Sequence, residues 1–295
     1  MRTVYLGTSE FAAGVLRALS SSPHRPTLVI TRPDRPRGRG RRLASPPVAE
    51  VARELGIDLD QPASVNDETA VARIAAAAPE AVCVCAFGAL IKEPLLSRYE
   101  ILNLHPSLLP RWRGAAPVER AIMAGDDRTG VSIMRLTAGL DSGPVCSQQE
   151  EPIEPDDTYG TLAARLETLG GELLIDALDR RPDCTEQDDS RATYAEKLTA
   201  ADRVLEPSRS AVELERTVRA LSPHVGAAVP LPDGSRLGVG EARVADEPGP
   251  PAGELWLTGP LPLLGCAQGS LELVVVQPPG RRPMAGADYL RGRRR

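Results

Sequence analysis

Lysine is almost missing from this chain: Lys92 and Lys197 are the two lysines among 35 lysine and arginine residues. Because the bias toward arginine runs through the whole sequence, the choice of arginine at any one position says little. Histidine is scarce too, at three residues. Long apolar runs do not occur. A stretch such as Leu273 to Val276 is far short of the roughly 20 residues a membrane helix requires, which excludes a helical span. The N-terminus MRTVYLGTSEFA enters a β-rich apolar run with neither a long apolar leader nor a small-residue cleavage site, so a cytoplasmic protein is expected. The five cysteines include no CxxC. Cys83 and Cys85 lie two apart in AVCVCAFGA, on one face of a strand, and core packing is the preferred reading there over metal or redox chemistry. No G-x-G-x-x-G follows the first apolar run, no P-loop is present, and no spacing of histidines, cysteines and carboxylates suits a metal. The missing glycines disfavour an ordinary nucleotide-binding sheet, and the chain has no internal repeat.

What is there suffices for two domains: 295 residues, 42% of them hydrophobic. The net charge of -5 points to no global affinity for nucleic acid, but two patches break the average. Thr31 to Arg42, TRPDRPRGRGRR, and the last fifteen residues, 281–295, each hold six arginines against one aspartate. Both are expected to be mobile and cationic. Val4–Gly7 reads as a strand, Thr8 and Ser9 as a turn or cap, and Phe11–Leu19 as a helix. Leu28–Ile30 is a second strand, and Ser45-Pro-Pro is expected to cap a helix that Gly56 stops. A helix over Ala70–Ala78 and strands over Ala81–Phe87, Ile101–His105 and Val131–Leu136 continue the pattern, and a helix runs from about Thr158 to Leu178. Strands alternating with helices imply an α/β, Rossmann-like parallel sheet covered on both faces, with ligands at the carboxyl ends of its strands. This first domain is set at 1–182, and a charged, weakly periodic linker at 183–207. The remainder, 208–295, has one helix (Ser210–Leu221) and then short turn-separated β runs, the pattern of a small β-barrel.

The chemistry concentrates in Asn103 to Pro117, NLHPSLLPRWRGAAP. Residues two apart on a strand point the same way, so Asn103 and His105 offer an amide and an imidazole to one small volume. Leu108 and Leu109 supply an apolar wall suited to a flat ring. Downstream, Ala138–Gly143 is a glycine-flanked loop with one carboxylate, Asp141, at its centre. Imidazole, amide and carboxylate without a suitable nucleophile suit addition to a carbonyl: two groups hold an oxyanion while the third orients the imidazole and moves a proton. Ser107 lacks a G-x-S-x-G elbow and is discounted as a nucleophile. On these residues alone a structural, strand-end histidine remains the alternative.

NLHPSLLPRWRGAAP followed by GLDSG resembles the signature of the folate-dependent formyltransferases. RPDRPRGRGRRLASPPV, ATYAEKLTAADRVLEPSRSA and QPPGRRPMAGADYLRG resemble, more narrowly, the members that act on methionyl-tRNA. The resemblance covers essentially the whole chain. It implies a Rossmann-like formyltransferase domain followed by an OB-like domain that lies against tRNA. It also implies 10-formyltetrahydrofolate as co-substrate, no metal, initiator methionyl-tRNA as partner, a role in translation initiation and a monomer. Asn103, His105 and Asp141 match the catalytic triad. Ser107, Leu108, Leu109 and Pro110 match the folate-contacting turn, and Phe87, Gly88, Leu90 and Ile91, with Gly139 and Ser142, would line the pterin pocket. Arg32, Arg35, Arg37, Arg39, Arg41 and Arg42 match a loop that grasps the tRNA acceptor end, where charge positions and shape specifies. The departures are Phe87 where tyrosine is common, arginines for loop lysines, Pro106 where glycine also occurs, and a missing tryptophan in GAAVPLPDGSRLGVGEARV.

Two rivals stand beside this reading. One is a formyltransferase for an amino sugar or other small amine, or a formyltetrahydrofolate hydrolase, which would need neither the arginine loop nor the C-terminal barrel. The other is a non-catalytic RNA-binding protein, against which the intact Asn103, His105 and Asp141 argue. His24 and His224 are read as solvated or loop residues, Trp112 and Arg113 as braces of the turn, and RGRRR as a frayed tail.

Overall fold

The structure, a computed structural model, describes residues 1–37 and 42–293. From the N-terminus, β1 (Thr3–Gly7), α1 (Glu10–Ser20) and β2 (Pro26–Ile30) are followed by the short pair β3 (Arg35–Arg37) and β4 (Arg42–Ala44). Next come α2 (Pro47–Glu54), β5 (Asp58–Asp60), α3 (Glu68–Ala77), β6 (Ala81–Cys85), α4 (Leu95–Arg98), β7 (Ile101–His105) and β8 (Arg113–Gly114). α5 (Pro117–Ala124), β9 (Arg128–Arg135), β10 (Val145–Pro152), α6 (Tyr159–Arg180) and β11 (Tyr194–Ala195) complete this stretch. The chain divides into two compact units, the first formed by Met1–Gly114, Thr129–Glu151 and Ala163–Tyr194, the second by Ala115–Arg128, Pro152–Leu162 and the chain from Ala195 onward. The stretch 183–207, expected as a linker, is thus shared between them.

TVYLG, AVCVC and ILNLH are buried at every position, as strands covered on both faces must be. They sit in a seven-stranded sheet of order β10-β9-β7-β6-β1-β2-β5. β5, β2, β1, β6 and β7 run parallel, and β9 is antiparallel to β7, pairing Ser132 with His105 and Met134 with Asn103. Cys83 and Cys85 are both fully buried, and burial pushes each thiol up to about 12, so both are packing groups. Side chains of β1, β2, β6 and α3 form one core cluster that includes Leu6, Ile30, Ile74 and Val84. On the other side Leu104 meets α6 at Gly170, where an added Cβ would lie 2.9 Å from Leu104 Cδ1, and a Cβ on Gly171 would lie 2.8 Å from that of Ala18. The paired glycines of this helix let it approach β7 and α1 closely.

Several local expectations are corrected. Ser45 does not cap α2: the cap position is Pro46, and the Ser45 hydroxyl donates instead to Asp34 Oδ2 at 3.0 Å. The β6 strand stops at Cys85 because Ala86 turns to φ +42°. β10, VCSQQEEP, was not expected; it is an edge strand with no fully buried residue, so it lacks the apolar alternation that marks a strand. Its Cys146 forms a disulfide with Cys184, beside reciprocal backbone bonds of 2.8 Å between Val145 and Thr185. His24 is not solvated: it is 4% exposed, with Nδ1 3.0 Å from the terminal amine and Nε2 2.8 Å from Asp179. The arginine stretch is not uniformly loop either, since β3 and β4 pair antiparallel with Pro36 opposite Leu43.

The second unit contains α7 (Ala211–Leu221), β12 (Ala227–Pro230), β13 (Arg236–Val244), β14 (Leu255–Trp256), β15 (Leu263–Gly265), β16 (Ser270–Gln277), β17 (Met284–Ala285) and α8 (Gly286–Arg293). The strands make a curled antiparallel, barrel-like sheet of order β12-β13-β16-β15-β14, with β17 also on β16. Ser210 and Glu213 form a capping box at the start of α7, whose Leu214, Val218 and Leu221 enter a core with Leu237, Leu271 and Leu273. α8 places Tyr289 and Leu290 in that core; of the RGRRR tail expected to fray, Arg291 and Gly292 are helical and exposed, and Arg294 and Arg295 lie outside the described residues. His224, as expected, is exposed in the turn after α7, where its Nε2 lies 3.0 Å from Glu119 and its ring stacks on Tyr159 at 3.7 Å. Among the described residues, no helix is long and apolar enough to cross a membrane.

Candidate active site

The alternation of β7 puts Asn103 and His105 on one face at the carboxyl end of the parallel strands, 8% and 4% exposed. A ring buried so deeply must be held through its nitrogens. His105 Nε2 lies 2.8 Å from the backbone oxygen of Trp112. That oxygen accepts only, so Nε2 carries the proton and Nδ1 faces the site. Trp112 presents its carbonyl from a left-handed backbone, φ +62°, with its N–H donating to Thr193 Oγ1 at 2.9 Å and the Arg111 guanidinium 4.4 Å over its ring. The strain of that conformation is thus offset by local contacts.

Asp141 Oδ2 lies 3.7 Å from His105 Nδ1. The same oxygen accepts from the Gly114 N–H at 2.9 Å, and Oδ1 accepts from Asn103 Nδ2 at 3.4 Å. Asp141 is also left-handed, at φ +44°, a conformation aspartate tolerates better than most residues. The loop that carries it closes at Gly143, where a Cβ would stand 1.9 Å from the Arg135 carbonyl oxygen. Amide, imidazole and carboxylate, far apart in sequence, therefore meet within one partly buried volume. No group of three or more histidines, cysteines and carboxylates that could hold a metal occurs among the described residues.

The residues expected to bind folate are distributed less simply. Phe87 and Ile91 are buried in the core cluster, whereas Leu90 is exposed and Gly88, at φ +69°, offers its oxygen to Arg32 Nη1 at 2.6 Å. Phe87, Leu90 and Arg32 line a cavity of about 280 Å³ with Thr31, Asn66 and Lys92. Leu109 and Pro110 line a different one, of about 350 Å³, with Gln148, Gln187 and Arg191. The Ser107 hydroxyl is engaged internally, donating to the Arg111 oxygen at 2.6 Å, and Leu108 is partly exposed beside Gly130. Gly139 is exposed and Ser142 partly so. Of the arginines expected at tRNA, Arg32 is tied to Gly88 and Arg35 is exposed. The side chains of Arg37 and Arg42, and Arg39 and Arg41 altogether, lie outside the described residues.

Two supports escaped the sequence reading. Ser132, opposite His105, donates to the Ser107 oxygen at 2.6 Å and accepts from the Leu109 N–H at 3.1 Å. Gln148 donates to the Leu109 oxygen and to Ser132 Oγ, both at 2.8 Å. Arg113, 3% exposed, is bound by Gln187 and Asp189. This accords with its reading as a brace of the turn, whose partners the sequence did not show.

The chain is similar to known proteins along its length. Residues 1–178 match the formyl transferase family and residues 197–294 the formyl transferase C-terminal domain. The chain belongs to the formyl transferase family. Curated relatives named methionyl-tRNA formyltransferase include one from Methylococcus capsulatus, 42% identical over 98% of this chain and 96% of its own length. Another, from Ectopseudomonas mendocina, is 41% identical over 100% of this chain and 95% of its own length. The fold recurs in HypX from Aquifex aeolicus in complex with tetrahydrofolic acid, with a TM-score of 0.65 and 17% identity over 98% of this chain; the chain spans 47% of that protein. It recurs too in an N-formyltransferase from Helicobacter canadensis complexed with folinic acid and dTDP-3-aminofucose, with a TM-score of 0.66 and 14% identity over 92% of this chain and 97% of that one.

Proposed function

We propose that this formyl transferase moves the formyl group of 10-formyltetrahydrofolate to the α-amino group of initiator methionyl-tRNA, giving formylmethionyl-tRNA for translation initiation. The observation that carries the chemistry is the approach of Asp141 to His105 Nδ1 at 3.7 Å, with Nε2 held by Trp112 and Asn103 at the other carboxylate oxygen. The full-length likeness to methionyl-tRNA formyltransferases supports the acceptor.

In this reading the amine nitrogen attacks the formyl carbon, a C–N bond forms, and the carbonyl electron pair moves to oxygen. Protonated Nδ1 of His105 and the second N–H of Asn103 hold that oxyanion. Asp141 keeps the imidazole charged and passes the proton lost by the amine toward N10. The C–N10 bond then breaks, with N10 taking the electron pair and the proton. Folate would be received by Phe87, Gly88, Leu90, Ile91, Leu108, Leu109 and Pro110, by the Ser107 backbone, and by Gly139 and Ser142. The acceptor end of tRNA would meet Arg32, Arg35, Arg37, Arg39, Arg41 and Arg42. Holding both substrates in one place supplies much of the rate by proximity. The enzyme would act as a cytoplasmic monomer.

The test is formyl transfer from 10-formyltetrahydrofolate to charged initiator tRNA, run beside charged elongator tRNA. Strong initiator preference is expected. Consumption of formylfolate without formylated tRNA would overturn the acceptor in favour of a small amine or water. Light scattering at twice the chain mass would overturn the monomer.

A further inference from the structure

Asp141 is fixed at its carboxylate by Gly114, but a left-handed aspartate in a loop also needs its peptide held. The two carbonyls that flank Ser142, those of Asp141 and Gly143, point to one donor: Gln187 Nε2, at 2.8 and 2.7 Å. Gln187 Oε1 accepts from Arg113 Nε at 3.0 Å and from Arg113 Nη2 at 2.9 Å. A primary amide has two N–H groups and two acceptor sites, and here all four are used. Turning it over would set its NH₂ against a guanidinium and its oxygen against two carbonyls, so its orientation is unique. Arg113 is buried and anchored further by Asp189 Oδ1 at 2.7 Å. The segment that carries Gln187 is fastened to β10 by the Cys146–Cys184 disulfide and the Val145–Thr185 backbone pair. Arg113 and Gly114 thus govern Asp141 from both ends: the Gly114 N–H holds its carboxylate, and the Arg113 side chain locks the amide that holds its carbonyl.

We infer that Gln187 is a positioning residue for the reaction: through the carbonyls of Asp141 and Gly143 it sets the distance between the Asp141 carboxylate and His105, without touching the reacting groups. The inference rests on the role proposed above for Asp141. A carboxylate displaced by about an ångström loses on the order of 10²-fold in rate, so the amide bears on turnover rather than on affinity for either substrate.

Gln187→Glu separates this role from a structural one. The carboxylate keeps both acceptors for Arg113 but offers no N–H to the two carbonyls. Turnover is expected to fall about tenfold or more, with melting temperature and the KM for charged tRNA unchanged. Gln187→Met, which removes the donors without adding charge, is read the same way should the glutamate variant not fold. The same substitutions are then made in the Asp141→Asn enzyme and followed in single turnovers with enzyme in excess. If Gln187 acts through Asp141, they cost almost nothing further there, because residues working as a unit are not additive. Wild-type turnover in Gln187→Glu, or an equal loss in both backgrounds, would overturn the inference alone. Full turnover in Asp141→Asn by itself would overturn the reading beneath it.

Discussion

The two regions to which function is assigned above are built on opposite plans. Around β7 the polar groups are few, buried or partly buried, and individually tied: His105 to a backbone oxygen, Asp141 to a backbone N–H, Asn103 to Asp141. Around β3 and β4 Arg35 projects into solvent, and Leu43 stands 73% exposed beside it. On the function proposed above, the first region would work by distance in a largely buried site, where salt has little access, and the second by charge, which dissolved ions screen within roughly 10 Å at 0.1 M. A perturbation of the first should therefore appear in turnover and be indifferent to salt, and a perturbation of the second should appear in tRNA affinity and depend steeply on salt.

The largest expected effect is on the first side. Asp141→Asn removes the charge beside His105 while keeping the shape and the acceptor for Gly114, and should lower kcat on the order of 10³-fold. The KM for charged tRNA and its salt dependence should stay as in the wild type. A parallel rise in KM would mean that Asp141 also binds substrate, and the division between the regions would fail. Next in size is Arg37, Arg39, Arg41 and Arg42 all changed to alanine. At low salt the KM for initiator tRNA should rise at least about tenfold, and the slope of log affinity against log salt should flatten by about 3 if each arginine meets one phosphate. Turnover at saturating tRNA should hold. An unchanged slope would reduce the arginines to compositional bias on a solvated surface.

An intermediate effect tests the geometry of the first region without touching charge. A Cβ at Gly143 would overlap the Arg135 carbonyl oxygen, and backbone has no rotamer with which to yield. Gly143→Ala should displace the Asp141 loop, lowering kcat about tenfold and stability by roughly 1–3 kcal/mol. Thermal melting and turnover measured together check it; a fully active, fully stable variant would show that the loop adapts.

The two plans also differ in how they read from sequence. The sheet was legible because buried strands such as AVCVC and ILNLH carry their signal locally, and the meeting of Asn103, His105 and Asp141 was legible because the first two alternate on one strand while the third sits in a marked glycine loop. What holds the three in place was not. Trp112 contributes a backbone oxygen, which any residue has, and Gln187 lies in a charged stretch whose neighbours in space are 46 and 74 positions away. β10 and the bonded state of Cys146 and Cys184 were hidden for the same reason: an edge strand with no buried face has no periodicity, and a pairing across 38 residues leaves no local trace.

The smallest effect concerns the base of the arginine hairpin. Asp34 accepts from Gln61 Nε2 at 2.8 Å and from Ser45 Oγ at 3.0 Å, and the Gln61 bond foremost holds its carboxyl below the ordinary value, with Ser45 and Arg53 adding to it. A carboxyl lowered in the folded state binds its proton more readily when unfolded, so its contribution is complete above the ordinary carboxylate range and disappears as pH falls through the lowered value. The hairpin base should accordingly be pH-independent near neutrality and loosen on acidification, an effect Asp34→Asn should abolish. Amide exchange at Ser45, followed from pH 7 to about 3 in both proteins, measures it. Because the group is exposed, the change should be small and should shrink as salt is added. Exchange that is unaffected by the substitution would place the hairpin's order elsewhere, in the ladder that pairs Pro36 with Leu43.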